Sequence, residues 1–341
     1  MKLTIVIPTF KRVNLLEDLL SDIGLQKLLP ELVVISDGDN HSGTVQDMLT
    51  PFQKNVPWNT IYIPSNHANA PYQRYLGARV ANHSDILIFI DDDIRLPEKD
   101  ILEKVLRPFL WQDRIIVGVS PKIKFPNRIN PTNERELTKA QQNNLGGITP
   151  TGNRIVPIDT GDEYDTVRWL RGGMMAYRYG ILEEVIYSPD AFAMSHIGCG
   201  LGVDDTYLSR CVGAYGELLI ANCAEIEHPD FDTSKVFPQD ARRKGIATAY
   251  SRRFLNDHYR VIKSPKLSDR MALLKSFLGN SLINWWQAIN SRQEYQFNYA
   301  RGYSRGALRG IIQKPTACNL TPEIDWLQDA EAALAQATII S

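Results

Sequence analysis

Five consecutive apolar residues, Ile86-Leu87-Ile88-Phe89-Ile90, run straight into three carboxylates, Asp91-Asp92-Asp93. A strand wet on one face alternates apolar with polar residues, whereas an unbroken run suits a strand buried on both faces, as in a parallel sheet covered by helices. Such sheets bind ligands outside the carboxyl ends of their strands, which is where the triplet would stand. Adjacent negative charges repel one another unless a cation or several donors compensate them, and a hard divalent metal bridging to phosphate oxygens would do so. The competing reading is an acidic turn capping a helix opened by Pro97 and Glu98, although a single cap needs only one Asp.

The flanking pattern extends the argument. Leu3 to Ile7, Leu32 to Ile35, Thr60 to Ile63, Ile86 to Ile90 and Ile115 to Val119 read as strands, and Asn14 to Ile23, Thr44 to Phe52, Pro71 to Ala81 and Glu98 to Leu110 read as helices between them. Strands alternating with helices predict right-handed βαβ units and a mostly parallel sheet. Residues 121 to 165 turn to Asn, Pro, Gly and Thr and read as a long loop excursion. Structure resumes at Thr166 to Leu170, with helices near Ile181 to Ile186 and Thr206 to Val212 and a strand near Leu218 to Ala221. Beyond about residue 240 the pattern reads as helical throughout. This divides the chain into a catalytic or binding unit at 1–235 and a helical extension at 236–341.

Charge is distributed unevenly. The whole chain of 341 residues is near neutral at −1, yet residues 235 to 314 hold 16 basic and 4 acidic groups, while residues 315 to 341 hold 4 acidic groups and no basic one. A basic segment of this kind points to an anionic partner, and an anionic membrane surface is a candidate. Arg301, Arg305 and Arg309 recur every fourth residue, each followed by glycine. On a helix the arginines would share one face and the glycines another, serving either anionic lipid or diphosphate, or close packing against a neighbour. No nucleic-acid motif accompanies the charge. No stretch reaches the roughly 18 apolar residues that span a bilayer, and the N-terminus is strand-like, so a cytoplasmic protein, in reach of the inner membrane face, is expected. The four cysteines match no zinc spacing and are expected to be reduced.

Several polar clusters fall at predicted strand ends on one sheet edge: Pro8-Thr9-Phe10-Lys11-Arg12, Ser36-Asp37-Gly38-Asp39, Asn66 to Gly77 with Arg74, and the Asp triplet. A nucleotide site in this architecture needs such convergence. Asp37 can accept from a base imide, Arg74 can pair with phosphate or stack on the base, and a triplet Asp can hold ribose hydroxyls. Asp204 and Asp205 precede a helix; one can cap it, leaving the other able to take a proton as general base. His228 follows a strand-like stretch and is a second candidate ligand for a metal.

Taken together these motifs resemble glycosyltransferase family 2, inverting enzymes of the GT-A fold, over roughly residues 1 to 230. Pro8 to Arg12 is similar to the family's opening turn, Ser36 to Asp39 to its base-recognition strand end, Asn66 through Arg74 to Gly77 to its helix start, and Asp91-Asp92-Asp93 to its DxD. Asp204-Asp205-Thr206-Tyr207-Leu208-Ser209-Arg210 is similar to its Glu-Asp-x-Asp-Leu-x-x-Arg element, and Gly172-Gly173-Met174 to the segment under the donor sugar. The resemblance implies a Rossmann-like, mostly parallel sheet flanked by helices, here with a C-terminal helical extension. It implies a nucleotide-sugar donor, UDP-linked by default, contacted by Pro8, Thr9, Phe10, Arg12, Asp37, Asn66, Arg74, Asp91, Asp92, Gly172 and Gly173. It further implies Mn2+ or Mg2+ on Asp93 and His228, and a base at Asp205 or its neighbour Asp204. The acceptor would be a hydroxyl of a glycan or of a lipid-diphosphate-linked saccharide, as in cell-surface polysaccharide synthesis.

Other classes compete. Haloacid-dehalogenase-type phosphatases also carry Asp-x-Asp after an apolar run, with the first Asp as nucleophile. In them the motif usually follows the first strand and has Thr or Val in fourth place, where this chain has Ile94 after its fourth strand. A non-catalytic nucleotide-sugar or membrane-surface module would use residues 235 to 314 as its working part. A dinucleotide-dependent dehydrogenase lacks its GxGxxG after the first strand, and a nucleotidyltransferase its Gly-rich loop.

Overall fold

The computed structural model describes residues 1–39, 41–126, 147–149, 151–152, 154–155, 161–185, 187–197, 203–229, 238–257 and 266–340. The centre of the molecule is a nine-stranded sheet of β1 (Leu3–Thr9), β2 (Leu32–Asp37), β3 (Asn59–Pro64), β4 (Ile86–Ile90), β5 (Ile116–Lys124), β6 (Tyr164–Val167), β7 (Met174–Arg178), β8 (Glu217–Glu227) and β9 (Thr338–Ile340). Its order is β6-β8-β5-β7-β4-β1-β2-β3-β9. From the pairings, β1 to β5 and β8 point one way, while β6, β7 and β9 run against them. The sheet is thus mostly parallel in strand direction, as the alternating pattern predicts.

The unbroken apolar runs follow from burial on both faces. Ile5 and Ile7 of β1 and Ile86, Ile88 and Ile90 of β4 pack on one side with Leu16, Leu19 and Leu20 of α1 (Val13–Gly24), Val45 and Leu49 of α2 (Thr44–Gln53) and Ile101 and Leu102 of α4 (Ile101–Leu106). Val6, Leu87 and Phe89 point to the other side, among Tyr72, Tyr75 and Leu76 of α3 (Ala70–Val80). That second layer also holds Leu182 of α5 (Tyr179–Glu184), Phe192 of α6 (Pro189–Ile197) and Leu208 of α7 (Val203–Val212). Each such side chain contributes about 1.5–3 kcal/mol of burial, so a polar residue anywhere in β4 would be costly.

Two departures from the sequence reading matter. Met174–Arg178 is a strand inserted antiparallel between β4 and β5, which brings Gly172 and Gly173 beside the exit of β4. The run Met-Met-Ala-Tyr-Arg lacks β-branched residues, so its strand character comes from the two neighbours that bond to it. The C-terminus is the other. After the helices α8 (Pro238–Asp257), α9 (Leu267–Ser291) and α10 (Glu294–Ile312), the chain returns through α11 (Ala317–Leu320) and α12 (Trp326–Leu334), and β9 adds antiparallel to β3. Trp326 is buried against Tyr72, Phe192 and His67, and His67 Nε2 lies 2.7 Å from Asp329 Oδ2. Most of the 121–165 excursion, residues 127–146 included, lies outside the described residues.

Candidate functional site

The carboxyl ends of β1, β4 and β8 surround a cavity of about 300 Å³ lined by Pro8, Thr9, Phe10, Arg12, Ala68, Ala70, Gln73, Asp91, Asp92, Asp93 and His228. The helix opened near Pro97 starts only at Ile101 with Asp100 as its N-cap, so none of the triplet carboxylates caps it. What shapes the cavity is a turn. Lys11, immediately after β1 and the exposed Phe10, adopts φ 57°, a left-handed conformation that is strained for a side chain with a Cβ. The turn sends Arg12 back over the triplet, where its Nη1 lies 3.1 Å from Asp92 Oδ1 and 2.8 Å from Asp93 Oδ2. Thr9 Oγ1 donates to the other oxygen of Asp92 at 2.8 Å.

These pairings set the electrostatics. Burial, only partly offset by Arg12 and Thr9, pushes the Asp92 carboxyl up to about 6. Burial also raises Asp93, against the attraction of His228, whose Nε2 lies 3.6 Å from Asp93 Oδ1. The Arg12 guanidinium is held above its ordinary value because Asp92 and Asp93 together outweigh its own desolvation. His228 arrives at the end of β8, its N–H donating to Lys124 O at 2.9 Å.

The donor set suits a hard divalent cation. Among the described residues no three His, Cys, Asp or Glu form a closed cage, but an ion that bridges a diphosphate needs only one or two protein ligands, the remaining positions going to phosphate and water. Asp93, with His228 facing it, supplies such a pair.

A second group of carboxylates stands behind the first. Asp91 leaves β4 with its N–H donating to Gly173 O at 2.9 Å, and Gly173 has φ 110°, a conformation that glycine alone adopts freely. Gly172 N–H donates to Asp205 Oδ2 at 2.9 Å, and a Cβ at residue 172 would press to 3.1 Å from that same oxygen. Asp205 Oδ1 accepts from Thr206 N at 2.5 Å and Thr206 Oγ1 at 3.1 Å, with Arg154 Nη1 at 3.5 Å. Burial, with Asp204 adding repulsion, nevertheless pushes Asp205 up to about 6. Asp204 is tied elsewhere: fully buried Arg74 grips Asp204 Oδ2 at 2.6 Å with Nη1 and Asp91 Oδ1 with Nη2.

The structure therefore gathers Pro8, Thr9, Phe10, Arg12, Asp91, Asp92, Asp93 and His228 at one cavity, and Asp91 connects that cavity to Gly173 by a backbone hydrogen bond and to Asp204 through Arg74, with Asp205 bonded to Gly172. Asp37, Arg74 and Asn66 are placed differently. Asp37 is buried at the end of β2, accepting from Asp39 N at 2.9 Å and Tyr62 OH at 3.1 Å, and burial raises its carboxyl. Arg74 is a buried bridge. Asn66 is exposed and donates to Asp329 O at 3.3 Å. Two contributors escape the sequence motifs. Gln73 Nε2 donates to Thr9 O at 2.7 Å and Ser36 O at 2.6 Å, tying the ends of β1 and β2 together under the cavity. A polar residue inside an otherwise buried helix was its one signal. Arg154, stacked 5.3 Å from the Trp169 ring, comes from the polar excursion and gave none.

The profile of the family described as Glycosyl transferase family 2 matches residues 4–178, just over half of the chain. Among solved structures the fold is similar to GalNAc-T7 with UDP, GalNAc and Mn2+, at 12% identity and TM-score 0.54, over 81% of this chain and 54% of that one. The chain thus spans about half of GalNAc-T7. It is also similar to the mannosyltransferase PcManGT from Pyrobaculum calidifontis in complex with GDP-Man and Mn2+, at 14% identity and TM-score 0.52, over 91% of this chain and 87% of that one. At such identities the likeness is one of fold. No curated protein matches the chain.

Proposed function

The chain belongs to glycosyl transferase family 2 and has the GT-A fold, and on that premise we propose that it transfers a sugar from a nucleoside diphosphate donor to a hydroxyl with inversion at the anomeric carbon. One observation carries the reading. Asp91, Asp92 and Asp93 line the cavity with Arg12, and Asp205 is bonded to Gly172, whose neighbour Gly173 accepts from the Asp91 N–H. In this reading donor and base take opposite sides of one sugar, as single displacement requires.

A diphosphate leaves only if its growing charge is neutralised. Arg12 supplies a fixed positive charge to the cavity, and Mn2+ or Mg2+ held by Asp93 and His228 would add Lewis acidity when bound. Thr9 and Arg12 fix Asp92, so the cavity floor does not rearrange as charge develops. Arg74 holds Asp91 in place for the ribose or sugar hydroxyls. Asp205 is the base in this reading, because Asp204 is committed to Arg74. Among the described residues its Oδ2 accepts from Gly172 N–H, and a carboxylate oxygen has a further lone pair for the acceptor proton. A carboxyl raised to about 6 is a better base than an ordinary Asp and is still ionised at neutral pH.

A UDP-linked donor is the default, and the acceptor is a glycan or lipid-diphosphate-linked saccharide at the inner membrane face, in surface polysaccharide synthesis. The test is a panel of nucleotide sugars incubated with the purified protein and Mn2+ or Mg2+, with and without chelator. Slow, metal-dependent hydrolysis of one donor is expected. Inertness toward every donor at all metal concentrations would overturn the reading.

A further inference from the structure

Helix α9 is apolar on two sides. Leu273, Phe277 and Ala288 turn inward, the first two clustering with Ala249 of α8 and Tyr303 and Ala307 of α10. The outward side repeats Met271, Leu278, Leu282, Trp286 and Ile289 at spacings of three, four and seven; Leu282 is 73% and Trp286 65% exposed. A helix apolar all round normally has something against every side. No helix among the described residues is long and apolar enough to cross a membrane.

The exposed stripe continues onto α10. Trp285 Nε1 donates to Ser304 Oγ at 3.1 Å, and its ring lies 6.4 Å from that of Phe297. Phe297, Arg301, Ser304 and Leu308 are three or four residues apart and so share one helix face. Arg301 therefore stands on the face that Trp285 abuts, with Arg305, Arg309 and Ile312 exposed around it. None of the three arginines has an ion-pair partner among the described residues. The alternate glycines do the packing instead: a Cβ at Gly302 would lie 2.1 Å from Arg242 O, and one at Gly306 2.8 Å from Ile246 O. From 270 to 312 the chain carries six basic residues and one acidic residue, Glu294.

We propose that this face of α9 and α10 docks on a lipid bilayer with anionic headgroups, the aliphatic and tryptophan side chains entering the headgroup and acyl boundary and the arginines pairing with lipid phosphates. Exposed Leu, Ile and Trp beside unpaired Arg is the composition of helices that lie in a membrane interface. A second copy of the chain fits worse, because a two-fold contact would bring this same face of both copies together, and from 270 to 312 each copy has six basic residues and one acidic residue, Glu294, to match them.

The experiment is flotation of the full chain with vesicles of phosphatidylcholine alone and of phosphatidylcholine mixed with phosphatidylglycerol. Wild type is expected to float with the mixed vesicles and to stay below with the neutral ones. Arg301→Gln/Arg305→Gln/Arg309→Gln should weaken binding roughly a hundredfold, each arginine near an anionic surface being worth about a factor of five. A separate variant, Leu282→Ser/Trp286→Ser/Ile289→Ser, should lose binding with its thermal transition intact. Both sets are exposed, so failure of one to fold leaves the other to decide. Absence of wild-type flotation, unchanged flotation of both variants, or a stable solution dimer dissolved by the apolar variant would each overturn the proposal. Binding is scored without turnover, so the result is independent of the glycosyl-transfer reading.

Discussion

Replacing Arg74 by Met separates two roles that the sequence alone cannot tell apart. As a bridge, Arg74 is buried and binds two carboxylates, Asp91 and Asp204, on different elements. Methionine keeps most of the volume and removes both charge-assisted hydrogen bonds, each worth about 1.5–3 kcal/mol. Breaking a buried ion pair from one side costs about 3–5 kcal/mol, because the remaining carboxylates stay behind in a poorly solvated site. With an unfolding entropy of about 2.1 cal/mol/K per residue, or about 0.7 kcal/mol/K for this chain, a loss of about 4 kcal/mol lowers the melting temperature by about 6 °C. Arg74→Lys retains the charge but offers a point donor instead of a fork, so roughly half of the loss should return. Differential scanning calorimetry on the three proteins measures this directly, with donor turnover read in parallel. A melting temperature within about 1 °C of wild type, together with a raised KM for donor, would refute the bridge and assign Arg74 to the nucleotide instead.

Three further outcomes are expected. Asp205→Asn should lower transfer by about 10²–10⁴-fold while donor still binds by calorimetry, whereas Asp204→Asn should act mainly through the melting temperature. Because Asp205 is held at about 6, above the ordinary 3.9 of an unfolded Asp, the rate should fall as pH drops through 6. The sign for stability is opposite: between about pH 4 and 6 the folded chain retains a proton that the unfolded chain has lost, so this carboxyl's contribution grows as pH falls through that window and disappears in Asp205→Asn. Gly302→Leu should destabilise by about 3 kcal/mol or more in urea unfolding, since its Cβ would meet the Arg242 carbonyl, which cannot rotate away.

The strands of the first half were legible because burial on both faces leaves an unmistakable mark. Ile86 to Ile90 could be little else, and three carboxylates at its end marked the sheet edge that carries the cavity. Helices α1 to α3 were equally plain from their spacing. β7 was not, since Met174 to Arg178 is a strand only because β4 and β5 lie on either side of it. β9 is three residues long, and only the return of the chain past Trp326 puts it on the edge of β3.

Residue types and their order determined the candidate chemistry: acids at strand ends, a second acidic pair before a helix, a histidine after the last long strand, arginines and glycines in register on one helix. Which of those groups face the cavity was decided only in three dimensions. Asp204 and Asp205 are neighbours in the chain with identical side chains, yet Arg74 takes one and Gly172 the other, because successive residues at a helix start point about 100° apart. Asp37 and Arg74 are likewise fixed by what surrounds them, Tyr62 in one case and two carboxylates in the other. A side chain's charge is written in the sequence, but its partner is chosen by packing, and Arg74 finds Asp204 130 residues away.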